Sequence, residues 1–492
     1  MSLISIKNLT FAYDGSYDNV FENVNIQLDT AWRLGLTGRN GRGKTTLLKL
    51  LRGEYGYKGT ISASVDFAYF PYDVADKTAL AGEIMAALCP EAQEWERVRE
   101  LSRLDVDEDI LYRPFNLLSG GEQTKLLLAA LFIGENRFLL IDELTNHLDA
   151  HGREVVAKYL RGKSGFILVS HDRSFLDGCI DHIMSINRTD IEVKRGNFSS
   201  WIADKERRDT LEAAQNERLK KEVVRLSQAA ARTSKWSDEV EKTKFDTKNS
   251  GLRPDRGYVG HKAAKMMKRS KVIEARHNAA IEEKKTLLKN VETADALKIA
   301  TAAHYSRQLL RLTDVSVLYE GYAAFAPISF NIEQGERIAL CGANGCGKTS
   351  LLKLICGEPL DYTGDIYRAS GLKISYIAQN AFDLSGSLSD YAARYSIDES
   401  RFKTILRKLD FARVQFEKDI NDFSAGQKKK VLLARSLCES AHILVWDEPL
   451  NFIDVMSRIQ LETLLRDFAP TILFTEHDKT FCDNVATRVV TM

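Results

Sequence analysis

The chain has 492 residues, too many for one ordinary hydrophobic core, so more than one domain is expected. It carries 69 Lys and Arg against 68 Asp and Glu, a formal net charge of +1, which argues against diffuse nucleic-acid binding and restricts any such binding to a local patch. No apolar run reaches the roughly 18 residues needed to span a membrane, and the opening Met1-Ser2-Leu3-Ile4-Ser5-Ile6-Lys7 lacks the apolar stretch of a signal peptide. The seven cysteines have no CxxC spacing and read as reduced thiols of a cytoplasmic protein.

The first strand expected is Ser5 to Phe11, followed by Tyr13, Tyr17 and Phe21, each of which suits either stacking on an adenine or packing inside a hairpin. Asn25 to Leu28 is a second strand, and Arg33 to Thr37 a third. The third leads into Gly38-Arg39-Asn40-Gly41-Arg42-Gly43-Lys44-Thr45 and the helical run Thr46 to Leu51. This is the full phosphate-loop pattern between a strand and a helix. Its glycines let backbone N–H groups turn inward around phosphates, at a helix N-terminus that favours anions. Lys44 then reaches the β- and γ-phosphates, and Thr45 holds Mg²⁺. Downstream, Phe138 to Glu143 is a buried strand ending in two carboxylates, which are costly to bury without such partners. Asp142 is placed for the Mg²⁺ shell and Glu143 for polarising the attacking water. Gly165 to Ser170 is one more strand, ending at His171, a candidate γ-phosphate sensor.

With Leu118-Ser119-Gly120-Gly121-Glu122-Gln123 between them, these pieces resemble the ATP-binding cassette superfamily, whose signature motif is LSGGE. The resemblance implies that Ser119, Gly120, Gly121 and Glu122 press on the γ-phosphate held by another cassette, and that Leu148-Asp149 is the D-loop. The whole module then repeats at an offset of about 305 residues, a duplication rather than a short solenoid repeat. Tyr319 matches Tyr13. Gly342-Ala343-Asn344-Gly345-Cys346-Gly347-Lys348-Thr349, followed by Ser350 where the first copy has Thr46, is the second phosphate loop. Phe423-Ser424-Ala425-Gly426-Gln427 is a looser signature, and Ile443 to Glu448 is the second acid-ended strand, with Asp447 toward Mg²⁺ and Glu448 as base. Asp454 sits at the D-loop and His477 at the switch position. Two departures make the sites unequal. Gln379, which in the superfamily offers an amide oxygen to Mg²⁺ and water, is Tyr72 in the first copy. The first acid strand also continues Leu144-Thr145-Asn146 where the second has Pro449.

Between the copies, residues 203–300 read as two long helices around a short break. Leu219, Val223, Leu226 and Ala230 keep a three-four rhythm, and Ile273, Ala280 and Leu287 repeat at seven with Ile281 and Leu288 alongside. The turn chemistry is concentrated from Asn249 to Gly260. Each arm reaches on the order of 60 Å at about 1.5 Å per residue. Arg253, Arg256, Lys262, Lys265, Lys268, Arg269, Lys271 and Arg276 crowd the break and the start of the second arm. Such a run is either a solvated helix face or, with Leu252, Tyr258 and Val259 interleaved and Phe245 nearby, a nucleic-acid surface.

Twin cassettes, a charged helical linker and no membrane domain resemble the ABC-F family over the whole chain. The implied fold is α/β: two tandem P-loop ABC ATPase domains, 1–202 and 301–492, joined by a long antiparallel α-helical hairpin, 203–300. The resemblance implies an ATPase with two composite ATP sites using Mg²⁺, in a monomer whose cassettes pair head to tail. It further implies cytoplasmic binding to the 70S ribosome, with the linker tip near 23S rRNA, the P-site tRNA and the peptidyl-transferase centre. The tip residues are then Phe245, Leu252, Arg253, Arg256, Tyr258, Lys262, Lys265 and Lys268. Asp447-Glu448-Pro449-Leu450-Asn451-Phe452-Ile453-Asp454 is similar to the second cassette of the Lsa- and Vga-type resistance subgroup, which protects ribosomes from lincosamides, pleuromutilins and streptogramin A. The segments Tyr72 to Leu118 and Gln379 to Phe423 leave no room for the extra arm of several housekeeping members, and the end at Met492 leaves no C-terminal extension. A housekeeping ABC-F translation factor is the first alternative. The ATPase subunit of a transporter is the second, disfavoured by the basic rod.

Overall fold

The computed structural model describes residues 2–13, 19–134, 136–187, 191–242, 265, 268, 272, 275, 276, 299, 302–380 and 384–492. The chain divides into two compact units, one of residues 1–201 with 294–492 and one of residues 202–293.

The first unit holds both copies of the repeat. Each is built on a mainly parallel sheet flanked by helices. In the first copy the strand order is Asp66–Phe70, Arg137–Asp142, Phe166–Val169, Arg33–Thr37, His182–Ile186 and Ile191–Arg195, with the last strand antiparallel to its neighbour. The second copy repeats the parallel core as Ile374–Ile377, Ile443–Asp447, Ile472–Thr475, Arg337–Cys341 and Arg488–Thr491. Strands covered on both faces need continuous apolar runs rather than alternation. Phe138-Leu139-Leu140-Ile141 and Ile443-Leu444-Val445-Trp446 are such runs, and all eight side chains are buried. A smaller antiparallel sheet, Phe21–Asp29, Leu3–Phe11 and Lys58–Ser62, packs its apolar face into the same core as the phosphate-loop helix Lys44–Leu51. Gln308–Tyr319, Ile328–Glu333 and Tyr362–Arg368 are its counterpart.

The acid strands stop one residue short of the second carboxylate. Asp142 and Asp447 end the strands; Glu143 and Glu448 follow with left-handed backbones, φ 57° and 44°. A side chain other than Gly rarely adopts this conformation, which costs on the order of 1–3 kcal/mol and persists where the surroundings enforce it. Here each turn is held by the next strand: Glu143 N–H donates to Val169 O at 3.0 Å, and Glu448 N–H to Thr475 O at 3.2 Å and to Thr475 Oγ1 at 3.0 Å.

The helix Phe198–Lys242, whose first four residues belong to the first unit and the rest to the second, runs for 45 residues, about 67 Å at 1.5 Å per residue. It begins before Ala203 because Asn197 caps its N-terminus, Oδ1 accepting from Ser200 N–H at 3.0 Å, while Phe198 and Trp201 are buried. Leu219 is half-buried, and Lys265 and Lys268 lie in helix and are exposed. Phe245, Leu252, Arg253, Arg256, Tyr258 and Lys262 of the tip, and Ile273, Ala280 and Leu287 of the second arm, lie outside the described residues, as do the side chains of Val223, Leu226 and Ala230. Among the described residues no helix is long and apolar enough to cross a membrane.

Candidate functional site: two phosphate loops and their facing signatures

Each phosphate loop closes on its own lysine. Lys44 Nζ donates to Gly38 O at 2.8 Å, Arg39 O at 3.3 Å and Asn40 Oδ1 at 3.3 Å. Lys348 Nζ donates to Gly342 O and Ala343 O, both at 2.8 Å. Burial holds the Lys44 ammonium below its ordinary pKa, against the nearby carboxylates of Asp454, Glu143 and Asp142. The last glycine of each loop is required twice over. Gly43 and Gly347 have φ 91° and 92°, and a Cβ there would stand 2.7 Å from Val20 Cγ1 or 2.5 Å from Phe325 Cδ1. Gly41 and Gly345 share the positive φ in open space.

The acids stand beside the loops. Thr45 Oγ1 donates to Asp142 Oδ2 at 2.8 Å, and Tyr69 OH donates to the same oxygen at 3.2 Å. In the second copy Asp447 Oδ1 accepts from Thr475 and Thr349 stands beside the carboxylate, but among the described residues neither the buried Asp447 Oδ2 nor the hydroxyl of Tyr376, the counterpart of Tyr69, meets a partner in hydrogen-bond geometry. Burial raises the pKa of both aspartates. The glutamates are held low despite burial. Burial pushes the Glu143 carboxyl up, but His171, whose Nε2 lies 2.8 Å from Glu143 Oε1, acts together with the Lys44 and Arg458 charges to bring it below its ordinary value. Glu448, at about 2, is held by His477 Nε2 at 3.6 Å, Gln379 Nε2 at 2.9 Å and Asn451 Nδ2 at 2.6 Å. Both are therefore ionised at neutral pH, as a base must be.

The two copies face each other within this unit. A cavity of about 790 Å³ brings Ser119, Gly120, Gly121 and Glu122 of the first copy against Asn344, Gly345, Gly347, Lys348, Thr349, Ser350, Gln379, Glu448 and His477 of the second. On the other side, Asn40 Nδ2 donates to Phe452 O at 2.8 Å, a Cβ on Gly426 would stand 3.0 Å from Asn40 Nδ2, and Arg39 pairs with Asp410 at 3.4 Å. An ion pair between Arg173 and Glu462 also joins the copies. Ser119 and Ser424 each cap a signature helix, Gly120–Ile133 and Ala425–Cys438. Their partners Glu122 and Gln427 turn back to accept from the Ser119 and Ser424 N–H groups at 2.8 and 2.9 Å. In these capping boxes the hydroxyls are engaged as well: Ser119 Oγ donates to Glu122 Oε2 at 2.7 Å, and Ser119 Oγ and Ser424 Oγ each accept from the N–H three residues on at 3.3 Å, so it is chiefly the helix N-termini that are left to face a phosphate.

Of the aromatics open to stacking or packing, one is decided for packing. Phe21 is 3% exposed and packs beneath Gly43, so it is loop support and unavailable for stacking on a base. Tyr17 lies outside the described residues. Tyr13 and Tyr319 are half-exposed, but their hydroxyls bond to Thr46 and Ser350 at 2.6 and 2.7 Å, tying each ring to the start of the phosphate-loop helix. Sequence reading also missed a duplicated strut. Arg153 joins Asp172 at 2.8 Å to the carbonyls of Leu148 and Thr145; Arg458 joins Asp478 at 3.0 Å to those of Ile453 and Leu450. Its signal was present: each Arg follows its D-loop Asp by four residues, and each partner Asp follows the switch His.

The profile of the family described as ABC transporter matches residues 21–146 and 325–451. The chain is 28% identical over 496 residues to ribosome protection protein VmlR of Bacillus subtilis, covering 98% of this chain and 85% of that one. It is 27% identical over 502 residues to ATP-binding protein Uup of Caulobacter vibrioides, covering 100% and 77%. The chain belongs to the ABC transporter family, in its ABC-F branch. Among solved structures, archaeal ribosome recycling factor aABCE1 in complex with stalk protein aP1 has the same fold, with TM-score 0.63 at 20% identity, covering 98% of this ABC-F chain and 87% of that one. The ABC-F chain is an ATP hydrolase, and its two cassettes are the ATP-binding modules.

Proposed function

We propose that this ABC-F chain binds the ribosome and protects it from lincosamides, pleuromutilins and streptogramin A, its linker reaching the P-site tRNA and the peptidyl-transferase centre. The observation that carries the reading is the pairing of head-to-tail ATP sites with a basic, 45-residue-armed rod in one chain. Similarity to a ribosome protection protein across 98% of the chain supports it. The proposed division is 1–202, 203–300 and 301–492, acting as a cytoplasmic monomer. Uup, named only for ATP binding, matches almost as well, which favours a second reading: a housekeeping translation factor. Expression in a drug-sensitive host decides between them. Growth in lincomycin or tiamulin is the protective outcome, and unchanged inhibition beside retained ribosome binding is the housekeeping one.

In the proposed cycle ATP lies between each phosphate loop and the facing signature. Lys44 and Lys348 exchange loop carbonyls for β- and γ-phosphate oxygens, and the helix N-termini at Ser119 and Ser424 oppose the γ-phosphate. The oxygen donors fit Mg²⁺, which binds proteins through few carboxylates and otherwise through phosphates and water. Asp447 Oδ2, buried without a partner in hydrogen-bond geometry among the described residues, is the oxygen whose chemistry fits the ion best. Thr45 with Asp142, and Thr349 with Asp447 and Gln379, would hold the ion, which when bound neutralises charge developing on the phosphate oxygens. Glu143 and Glu448 accept the proton of the attacking water, and His171 and His477 orient them. Closure then sets the rod, and hydrolysis releases it.

The sites are predicted to be unequal. The first lacks the Gln379 amide, having Tyr72 instead, and its Asp142 Oδ2 is already engaged by Tyr69. Glu448→Gln is expected to reduce ATP turnover more than Glu143→Gln; equal losses or the reverse order would remove the asymmetry. The rod is predicted to act through two separable features. Reversing Lys262, Lys265 and Lys268 to Glu should weaken ribosome pelleting, more so at higher salt, because phosphate contacts are salt-dependent. Leu252→Ala with Tyr258→Ala should leave pelleting and ATPase intact and lower drug tolerance. If both variants protect like the parent chain, the rod is only a spacer.

A further inference from the structure

The signature helices of the two copies differ at their fifth residue. Lys429 lies five residues after Ser424, and Thr124 five after Ser119. The Lys429 side chain is 1% exposed, and its Nζ donates to Ala378 O at 3.0 Å, Gln379 O at 3.2 Å and Asp447 O at 3.3 Å. Burying an ammonium costs several kcal/mol unless its environment compensates. Here three backbone carbonyls meet it at hydrogen-bond distance, and Glu476, Asp447 and Glu448 act from farther away. Thr124 instead donates to Gly120 O of its own helix at 2.8 Å. Where the lysine would extend, the first copy has a cavity of about 490 Å³ bounded by Tyr72, Phe115, Thr124, Asp142 and Glu143. The first copy folds around that cavity, so the fold itself does not demand a lysine here.

The two ends of the lysine belong to different ATP sites. Its helix begins at Ser424 and carries Gly426, which lies against Asn40 of the first phosphate loop. Its ammonium grips the backbone of Gln379 and of Asp447, which is joined directly to Glu448, all belonging to the second site. Movement of the helix toward the first loop therefore pulls on the amide and base of the second. The reverse route, from Ser119 through Thr124, ends within its own helix. We propose that Lys429 is a positioning residue that couples the two sites in one direction: occupancy of the first governs hydrolysis at the second, and not the converse. The inference rests on the reading of Glu448 as the second-site base.

The test uses the full chain and compares turnover with one site silenced in two ways. Glu143→Gln leaves the first site filled, and Lys44→Ala leaves it empty; both report turnover at the second. With Lys429 present, second-site kcat is expected to be about 5- to 150-fold higher when the first site is filled, the usual range of coupling between sites. Lys429→Met, of similar length, should bring that ratio near one with little change in KM. Thr124→Lys should create the opposite dependence, with first-site turnover becoming sensitive to Glu448→Gln against Lys348→Ala. That second arm decides the matter should Lys429→Met fail to fold. A ratio near one in the parent chain, a ratio unchanged by Lys429→Met, or an unmoved first site in Thr124→Lys overturns the proposal. Undiminished turnover in a Glu143→Gln, Glu448→Gln chain would instead remove the base assignment, so the two failures are distinguishable.

Discussion

A chain carrying Glu143→Gln and Glu448→Gln together is expected to hydrolyse ATP about 10²- to 10⁴-fold more slowly than the parent, the usual loss when a placed general base is removed. The substitution keeps length and shape. A Gln oxygen still meets His171, which lies 2.8 Å from Glu143, and His477, 3.6 Å from Glu448. What disappears is the negative oxygen that those histidines, with Gln379 and Asn451 at the second site, hold ionised against burial. ATP binding uses Lys44, Lys348 and the loop N–H groups and should survive. Phosphate release at saturating ATP and ribosome pelleting with ATP are the measurements. Slow release with strong retention on ribosomes is the expected pair, and parental turnover would show that another group takes the proton.

The phosphate loops were legible because their glycines answer a backbone demand: Gly43 and Gly347 have both the positive φ and the close neighbour that exclude a side chain. The acid strands were legible because a strand covered on both faces must be a continuous apolar run. Their last residues were misjudged by one position. Pattern reading locates the apolar run but not the left-handed turn at Glu143 and Glu448, which hydrogen bonds from neighbouring strands impose. Phe21 was ambiguous because an aromatic after a strand serves core and ligand equally; only the closeness of Gly43 decides for the core. Lys429 was invisible for a different reason. In Lys428-Lys429-Lys430 it looks like part of a solvated charge run, yet Lys429 and Lys430 are 1% and 3% exposed. Lys430 pairs with Asp454 at 3.0 Å, while Lys429 meets only backbone oxygens at hydrogen-bond range. Carbonyl partners leave no trace in residue type, so sequence pattern alone does not reveal them.

The strut formed by Arg458 carries the second large prediction. Its guanidinium is buried, and its partner Asp478 is 0% exposed. Arg458 Nη1 donates to Asp478 Oδ2 at 3.0 Å, Nε to Ile453 O at 3.0 Å and Nη2 to Leu450 O at 2.9 Å. Arg458→Met fills similar space but strips all three bonds, leaving a buried carboxylate with only its cap to Phe481 N–H and two carbonyls without that donor. Breaking a buried pair from one side costs about 3–5 kcal/mol, because the surviving charge stays desolvated. A chain with several domains lacks a single unfolding free energy, so the readout is local. Hydrogen exchange should quicken by roughly 100- to 4,000-fold in the segments around Leu450 to Arg458 and Asp478 to Val485, a range set by about 1.4 kcal/mol per tenfold. Adding Asp478→Asn should recover part of the loss by removing the stranded charge, whereas Asp478→Asn alone should cost less than Arg458→Met. Because the strut ties the D-loop carbonyls to the turn bearing His477, second-site turnover should fall in parallel. Unchanged exchange in both segments would mean that the surrounding packing, and not the ion pair, holds the D-loop against the switch histidine.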